Sequence, residues 1–143
     1  MITPRVRVKK LPHAAGLPLP AYQSQGASGM DLLAAVEEPV TLGPGQRCLV
    51  PTGLIIELPE EYEAQVRPRS GLALKRGLTV LNSPGTIDAG YRGEVGVILS
   101  NLSPETVRIA PGERIAQLVL APVLALEWEE TAALAASSRH DGG

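Results

Sequence analysis

Two short segments in the middle of this 143-residue sequence carry the side chains that are best suited to chemistry. Residues 64–87 contain four basic side chains and no acidic one. Within them, the pattern Ser70–Gly77 predicts a short helix that is capped by Ser70, because basic residues occur near its end and a glycine closes it. Arg69 and the N-terminal N–H groups of such a helix suit phosphate oxygens. A solvated basic turn capped by Ser70 is the alternative explanation.

The second segment is Asn82–Gly93, which reads NSPGTIDAGYRG. Its Pro-Gly and Ala-Gly pairs predict a loop or hairpin between two strands. Asp88 has the chemistry of a general base for water, and Tyr91 has a side chain that can stack on a ring. The alternative is an ordinary hairpin turn in which Asp88 satisfies its own backbone.

Three further polar residues stand alone in the sequence. Asp31 precedes an apolar run and is either a strand-end carboxylate or part of a Mg²⁺ site that phosphate oxygens complete. Gln117 interrupts the apolar row of Ile115 and Val119, which predicts a core-edge amide or a ligand contact. Arg139 is by default a solvated charge. Taken together with the two segments, these side chains favour nucleotide phosphate chemistry.

The elements that would position these residues are many short strands. The chain has 15 Gly and 13 Pro, which argue against a helical bundle, and turn signals recur at the spacing typical of a sandwich, jelly roll or barrel. We therefore predict an all-β fold with one short helix and, because the sequence contains no Phe, an aliphatic core. Strand patterns cover Ile2–Lys9 (half-buried), Gly29–Val36, Arg47–Val50, Leu54–Leu58, Tyr62–Arg67, Thr79–Asn82, Glu94–Ser100, Thr106–Ile109 and Arg114–Val123.

The composition changes near the end of the chain, and this change predicts the domain organisation. Residues 1–126 are expected to form one β domain. Residues 127–143 are rich in Ala, Ser, Glu and Gly and are expected to form a flexible tail.

Composition also argues against several classes of protein. No apolar run approaches 18 residues, so no membrane partner is expected. The net charge of −2 disfavours a dedicated nucleic-acid binder. Cys48 has no cysteine to pair with, which favours a reducing, cytoplasmic setting. The two histidines, His13 and His140, are far apart in the sequence, so no Cys/His metal cluster is predicted.

Four segments, in order along nearly the whole chain, resemble motifs of the trimeric dUTP diphosphatases (dUTPases). They are Ala27–Leu32 (ASGMDL), Arg67–Ala73 (RPRSGLA), Asn82–Gly93 and Gly112–Gln117 (GERIAQ), of which the third is the most specific. The family's fifth motif is an Arg followed by a glycine-rich segment with a Phe. Here Arg139–Gly143 (RHDGG) matches only its beginning, so the motif either continues beyond these residues or has lost its aromatic lid.

The resemblance implies a jelly-roll-like fold and a homotrimer with shared active sites. It implies Mg²⁺-dependent hydrolysis of dUTP to dUMP and pyrophosphate by water attack on the α-phosphate, which lowers dUTP and supplies dUMP for thymidylate synthesis. Asp88 would activate the water and meet the sugar 3′-hydroxyl, and Tyr91 would pack on the deoxyribose. Asp31 would hold Mg²⁺ through water.

The remaining roles that the resemblance implies concern the substrate. Asn82 and the backbone around Gly96 would read uracil, with Gly85, Thr86 and Ile87 as further binding positions. Phosphates would be contacted by Arg69, Ser70, Gly71 and Gln117, and by Arg139 once the tail closes.

Three alternatives share the predicted fold. A dCTP deaminase would carry a catalytic Glu where this chain has Ile98, and a second serine where it has Gly71. A non-catalytic nucleotide-binding module is supported only by the incomplete fifth motif. A structural, capsid-like jelly roll leaves the four motifs unexplained.

Overall fold

The computed structural model describes residues 1–139, which form eleven β-strands and one α-helix. The strands are β1 Arg7–Lys10, β2 Gly29–Leu33, β3 Val40–Leu42, β4 Arg47–Pro51, β5 Leu54–Glu57, β6 Tyr62–Arg67, β7 Leu78–Val80, β8 Gly85–Ile87, β9 Gly96–Asn101, β10 Val107–Ile109 and β11 Arg114–Pro122. The helix, α1, is Ser70–Arg76, between β6 and β7. This architecture confirms the predicted all-β fold with one short helix.

All strand pairs are antiparallel, and two sheets dominate. The larger sheet has the order β2-β11-β6-β8, so β11 is paired on both sides and β8 forms an edge. The second sheet has the order β4-β9-β7. Two ribbons, β1 with β5 and β3 with β10, complete the jelly-roll-like structure.

The core is aliphatic, as predicted. The largest fully buried apolar side chains are Leu32, Leu78, Leu99, Ile109, Ile115, Val50, Val80, Val95 and Val97. One polar side chain, Asn101, is buried among them. Its amide donates to the carbonyl oxygens of Leu42 (2.9 Å) and Glu105 (2.8 Å), while its Oδ1 accepts from the N–H and the hydroxyl of Ser103. The amide is therefore fully satisfied, which removes the cost of burying it.

The N-terminal segment differs from the prediction of a half-buried strand over Ile2–Lys9. Strand β1 begins only at Arg7, and all four of its residues are exposed. Ile2 is 81% exposed, whereas Val6 packs against the core. The predicted strand is therefore too long, because only Arg7–Lys10 pair with β5.

The predicted capping residue of the helix is wrong by one position. The N-cap of α1 is Arg69, and no side chain caps the helix, so Ser70 is the first helical residue and not the cap. The closing glycine was predicted correctly, because Gly77 has the left-handed backbone (φ 64°) that ends helices. A 3₁₀ turn, Pro12–Ala14, was not predicted.

Two three-residue strands escaped the sequence analysis. Val40–Leu42 was not predicted as a strand, and Gly85–Ile87 was included in a loop. The predicted strand Gly29–Val36 ends earlier, at Leu33. Residues 123–139 contain neither helix nor strand and are exposed, and residues 140–143 of the predicted tail lie outside the described part of the chain.

Candidate active site

A groove of about 450 Å³ opens between β6, α1 and the loop that precedes β8. It is lined by Gln65, Arg67, Pro68, Ser70, Ser83, Pro84 and Gln117. Two of the residues predicted from the sequence, Ser70 and Gln117, therefore share one cavity. The groove lies where the larger sheet meets the N-terminal end of the helix.

Strand β11 brings Gln117 to this groove from the middle of the sheet. Gln117 is paired with Arg67 of β6 on one side and with Asp31 of β2 on the other. Its Nε2 donates to the carbonyl oxygen of Pro68 at 3.0 Å. Its Oε1 lies over Gly29, where a Cβ would overlap it. A glycine at position 29 thus gives the amide the space it occupies.

Asp31 forms an ion-pair cluster beside the groove. Its Oδ1 lies 2.9 Å from Nε of Arg69, and its Oδ2 lies 3.6 Å from a terminal nitrogen of Arg114. The side chains of Asp31 and Arg69 are about three-quarters buried or more, with 20% and 26% exposed, whereas that of Arg114 is 60% exposed. One carboxylate between two guanidinium groups leaves a net positive charge, which favours anions.

Arg67 and Arg114 are groove and cluster residues that the sequence analysis did not assign. Arg67 donates twice to Oε1 of Gln65 along β6, at 2.9 and 2.6 Å. Arg67 belongs to the basic segment and to the second motif, but the sequence analysis gives it no role of its own. Arg114 meets Asp31 only through the pairing of β11 with β2, which brings together residues that are far apart in sequence.

Ser70 and Gly71 form the exposed first turn of α1. The first backbone N–H groups of a helix have no intrahelical partner. The first helical hydrogen bond runs from the Ala73 N–H to the Arg69 carbonyl oxygen at 3.0 Å. The N–H groups of the first turn are thus available beside the Arg69 guanidinium.

Asp88 follows β8 at the start of a tight turn. Its backbone carbonyl oxygen accepts the Tyr91 N–H at 3.0 Å. Within residues 1–139, its exposed carboxylate makes neither a hydrogen bond nor an ion pair. The alternative in which the Asp88 side chain satisfies its own backbone is therefore not what the structure contains.

Tyr91 is fixed at its tip. Its hydroxyl donates to the carbonyl oxygen of Glu94 at 2.9 Å. The ring lies so close to Gly93 that a Cβ there would overlap it. The residue is still 46% exposed, so part of the ring remains open to a ligand.

The loop between β7 and β8 holds Asn82 close to Gly85, since a Cβ on Gly85 would lie 3.1 Å from Nδ2 of Asn82. Thr86 and Ile87 belong to β8, which pairs with β6 through Gln65 and Ala64. Gly96 lies in the other sheet, at the start of β9 opposite Pro51. The loop reaches that sheet through Leu81, whose N–H donates to the carbonyl oxygen of Ile98 at 2.8 Å.

Arg139, in the segment after β11, makes no contact within residues 1–139 that ties it to the other predicted site residues. It does not line the cavity, and its backbone N–H donates to the Ser137 hydroxyl oxygen at 3.2 Å. The rest of the predicted fifth motif, residues 140–143, lies outside the described residues.

The residues present fit a Mg²⁺ ion that is bound by one protein carboxylate and completed by water and substrate phosphates. Among residues 1–139, no three His, Cys, Asp or Glu side chains are grouped for a metal ion. Mg²⁺ commonly takes one or two carboxylates together with water and substrate phosphates. Asp31, beside the anion-favouring groove, supplies such a carboxylate.

Among residues 1–139, no helix is long and apolar enough to cross a bilayer.

Comparisons with known proteins agree with this geometry. The family model described as dUTPase matches residues 15–143. A deoxyuridine 5′-triphosphate nucleotidohydrolase of Methylocella silvestris is 59% identical over 140 residues, which are 96% of this chain and 88% of that protein. The protein of the same name from Aquifex aeolicus is 64% identical over 122 residues, 85% of this chain and 81% of that protein.

Solved structures are similar as well. A Staphylococcus bacteriophage 80alpha dUTPase mutant with dUpNHpp has a TM-score of 0.86 at 26% identity, covering 99% of this chain and 96% of that one. A mutant dUTPase from phage phi11 of S. aureus, described for its coordination of a structural Mg(II) ion, has a TM-score of 0.82. It covers 93% of this chain and 100% of its own, and at 23% identity it demonstrates the shared fold alone.

Proposed function

Because this chain belongs to the dUTPase family and is an enzyme that hydrolyses dUTP to dUMP and pyrophosphate, we propose that Asp88 is its water-activating base. The observation that carries this proposal is the exposed carboxylate of Asp88, which has no partner within residues 1–139. A general base must be able to reach water and substrate, and a carboxylate already held by an arginine is less basic. Asp88 also meets the sugar 3′-hydroxyl in this proposal.

The phosphates bind along the groove. Arg69 contributes a planar fork, Ser70 and Gly71 contribute the first turn of α1, and Gln117 contributes its amide. Gln117 uses one N–H on Pro68, and an amide nitrogen carries two, so the second remains for a phosphate oxygen. Donors that are fixed before the reaction stabilise the charge that develops on phosphate oxygens during attack on the α-phosphate.

Uracil is read by the loop and strand that follow β7. Strand β8 is the edge of its sheet, so one side of Gly85–Ile87 presents backbone N–H and C=O groups that β6 does not use. Asn82 and the backbone at Gly96 complete this subsite. A subsite built to hydrogen-bond uracil rejects cytosine, because the wrong base leaves buried polar groups unpaired.

Tyr91 packs on the deoxyribose and discriminates against ribose. Its ring is held between the Glu94 carbonyl oxygen and Gly93, so it cannot easily move aside for a 2′-hydroxyl.

Asp31 holds Mg²⁺ through water in this proposal, with the dUTP phosphates as the other anionic ligands. When bound, the ion neutralises phosphate charge and orients the triphosphate. Asp31 remains linked to Arg69, so the same carboxylate orients the phosphate-binding guanidinium.

The chain acts as a homotrimer with shared sites, and its division into a β domain of residues 1–126 and a tail of residues 127–143 serves that assembly. Four large apolar side chains on the last described segment are 69–96% exposed in one subunit, namely Leu124, Leu126, Trp128 and Leu134. Such surface is typical of a segment that packs on another chain. Arg139 then reaches phosphate when the tail closes. Cys48, a free thiol, fits a cytoplasmic setting.

None of the alternatives is favoured by a specific observation. Both relatives are named as nucleotidohydrolases, which favours hydrolysis over deamination, over binding without turnover and over a structural role.

The test is hydrolysis in oxygen-18 water with Mg²⁺ and, separately, dUTP, UTP and dCTP. We expect product from dUTP alone, with the label in dUMP, because water attacks the α-phosphate. Label in pyrophosphate would place the attack on the β-phosphate, and ammonia from dCTP would indicate deamination. Either result would overturn the proposal.

A further inference from the structure

A half-buried hydrogen bond between a histidine and a glutamate lies behind the Tyr91 hairpin, and none of the roles assigned so far uses it. Nε2 of His13, in the 3₁₀ turn, lies 2.8 Å from Oε2 of Glu94. The two side chains are 34% and 28% exposed. The same Glu94 oxygen accepts the backbone N–H of Gly53 at 2.9 Å. An ionised carboxylate only accepts, so the His13 Nε2 carries the donated proton.

The turn, Gly53 and Glu94 are packed as one unit. The Gly53 carbonyl oxygen accepts the Leu11 N–H at 2.7 Å. Gly53 has a left-handed backbone (φ 71°), and a Cβ there would overlap the side chain of Ala14. The 3₁₀ turn therefore lies directly on Gly53, and His13 reaches Glu94 from a fixed base.

Glu94 connects this unit to Tyr91. Its backbone carbonyl oxygen is the acceptor of the Tyr91 hydroxyl. The direction of that carbonyl depends on the Glu94 backbone, and the carboxylate of the same residue is held by both His13 and Gly53. Two hydrogen bonds, joined through the covalent frame of Glu94, therefore link His13 to the tip of the tyrosine.

We propose that His13 and Glu94 are positioning residues that fix the Tyr91 ring and so set the preference for deoxyribonucleotide over ribonucleotide. This inference rests on the proposed contact of Tyr91 with the sugar. It assigns to the N-terminal 3₁₀ turn, which none of the four motifs includes, a part in sugar selection. Loss of His13 leaves the Glu94 carboxylate held by the Gly53 N–H alone, loosens the carbonyl and lets the ring move away from a 2′-hydroxyl.

The test compares kcat and KM for dUTP and UTP in the full chain carrying His13→Ala, His13→Gln or Tyr91→Phe. His13→Ala should lower the dUTP-over-UTP ratio of kcat/KM by about two- to fivefold, the size expected for loss of one partly exposed hydrogen bond. The effect should lie mainly in KM. His13→Gln keeps a donor and should restore most of the ratio.

A double-mutant cycle separates positioning from general structural damage. Without its hydroxyl, Tyr91→Phe is disconnected from Glu94, so adding His13→Ala should change the ratio no further. Gln23→Ala is the matched control, because it removes one exposed hydrogen bond from the same N-terminal segment and should leave the ratio unchanged. Thermal unfolding of each variant reports any loss of fold.

Three results would overturn the proposal. An unchanged ratio in His13→Ala, while Tyr91→Ala does narrow it, would remove the positioning role but leave the sugar contact. An unchanged ratio in Tyr91→Ala would remove the sugar contact and the positioning role with it. Additive effects of His13→Ala and Tyr91→Phe would show that His13 acts by another route.

Discussion

The groove and the hairpin hold polar side chains in two different ways. In the groove, Gln117 is bonded to Pro68 and Arg69 is paired with Asp31. In the hairpin, the Asp88 carboxylate has no partner within residues 1–139, although the Tyr91 hydroxyl is bonded to the Glu94 carbonyl oxygen. In the proposed function, the phosphate-binding side chains are therefore held in place before substrate arrives, whereas the proposed base stays available to react.

The position of each region in the sheet explains this difference. Gln117 lies in β11, which is paired on both sides, so its backbone is fixed by two neighbours. Asp88 follows β8, an edge strand of three residues, and enters a turn. Preorganised donors lower the barrier for phosphate charge, but a base gains from remaining solvated and unpaired until the water is bound.

The largest loss of activity should come from substituting Asp88, the carboxylate without a partner within residues 1–139. Asp88→Asn removes the base while keeping the shape, and we expect turnover to fall by roughly 10²–10⁴-fold, as for loss of a general base. Binding of dUpNHpp, measured by calorimetry, should persist. Glu60→Gln, on an exposed turn, is the matched control. Near-normal turnover in Asp88→Asn would show that the free carboxylate is not the base.

The next effect concerns the paired side. Arg69→Ala removes the guanidinium group and leaves Asp31 paired only with the exposed Arg114, at 3.6 Å. We expect kcat/KM to fall by about 10- to 100-fold, because a charged hydrogen-bond donor is lost. Steady-state kinetics measure the fall. Arg47→Ala, on β4, tests whether removing any exposed positive charge has the same effect. Equal losses in the two variants would argue for a general field rather than a built groove.

A smaller change tests whether the groove is preorganised. Gly29→Ala places a Cβ where Oε1 of Gln117 now lies, so the amide must move from its place in the groove. We expect KM for dUTP to rise about threefold to tenfold, in line with one hydrogen bond, with kcat little changed.

Gly16→Ala, whose Cβ would meet nothing within 4 Å, is the control for Gly29→Ala. An unaltered KM in Gly29→Ala would mean that the amide position does not matter for binding.

The smallest effect lies outside both regions. Burial raises the pKa of the Cys48 thiol in β4, so the neutral thiol persists at neutral pH and the thiolate appears only at higher pH. Alkylation by iodoacetamide should therefore be slower at pH 7 than that of an unperturbed thiol, with no loss of activity. Rapid labelling would indicate that β4 opens readily.

Features that depend on neighbouring residues in the sequence, such as strand bounds and helix ends, could be predicted from the sequence. The alternation in Tyr62–Arg67 gave a strand with correct bounds, and the glycine after Arg76 ended the helix as expected. Strands β3 and β8 have three residues each, too few for an alternating pattern to be distinguished from a loop. The alternation of Ile2–Lys9 was wrong as a sign of burial, since β1 lies exposed on a two-stranded ribbon.

The contacts that were missed depend on pairing between distant strands. Asp31 and Arg114 are far apart in the sequence and meet only because β2 and β11 are neighbours in one register. His13 and Glu94 meet because a 3₁₀ turn lies on Gly53. Local propensity contains no information on such register, so the residue types could be proposed as functional but their partners could not.

The loop between β7 and β8 connects the two main sheets. Leu81 is bonded to β9 in one sheet, and four residues later Gly85 pairs with Val66 in the other. In the proposed function, a nucleotide bound at this loop contacts both sheets, so its binding energy opposes any fluctuation that separates them. Substrate is then a reversible cross-link of the β framework, and amide exchange in β6 and β9 should slow together when it binds.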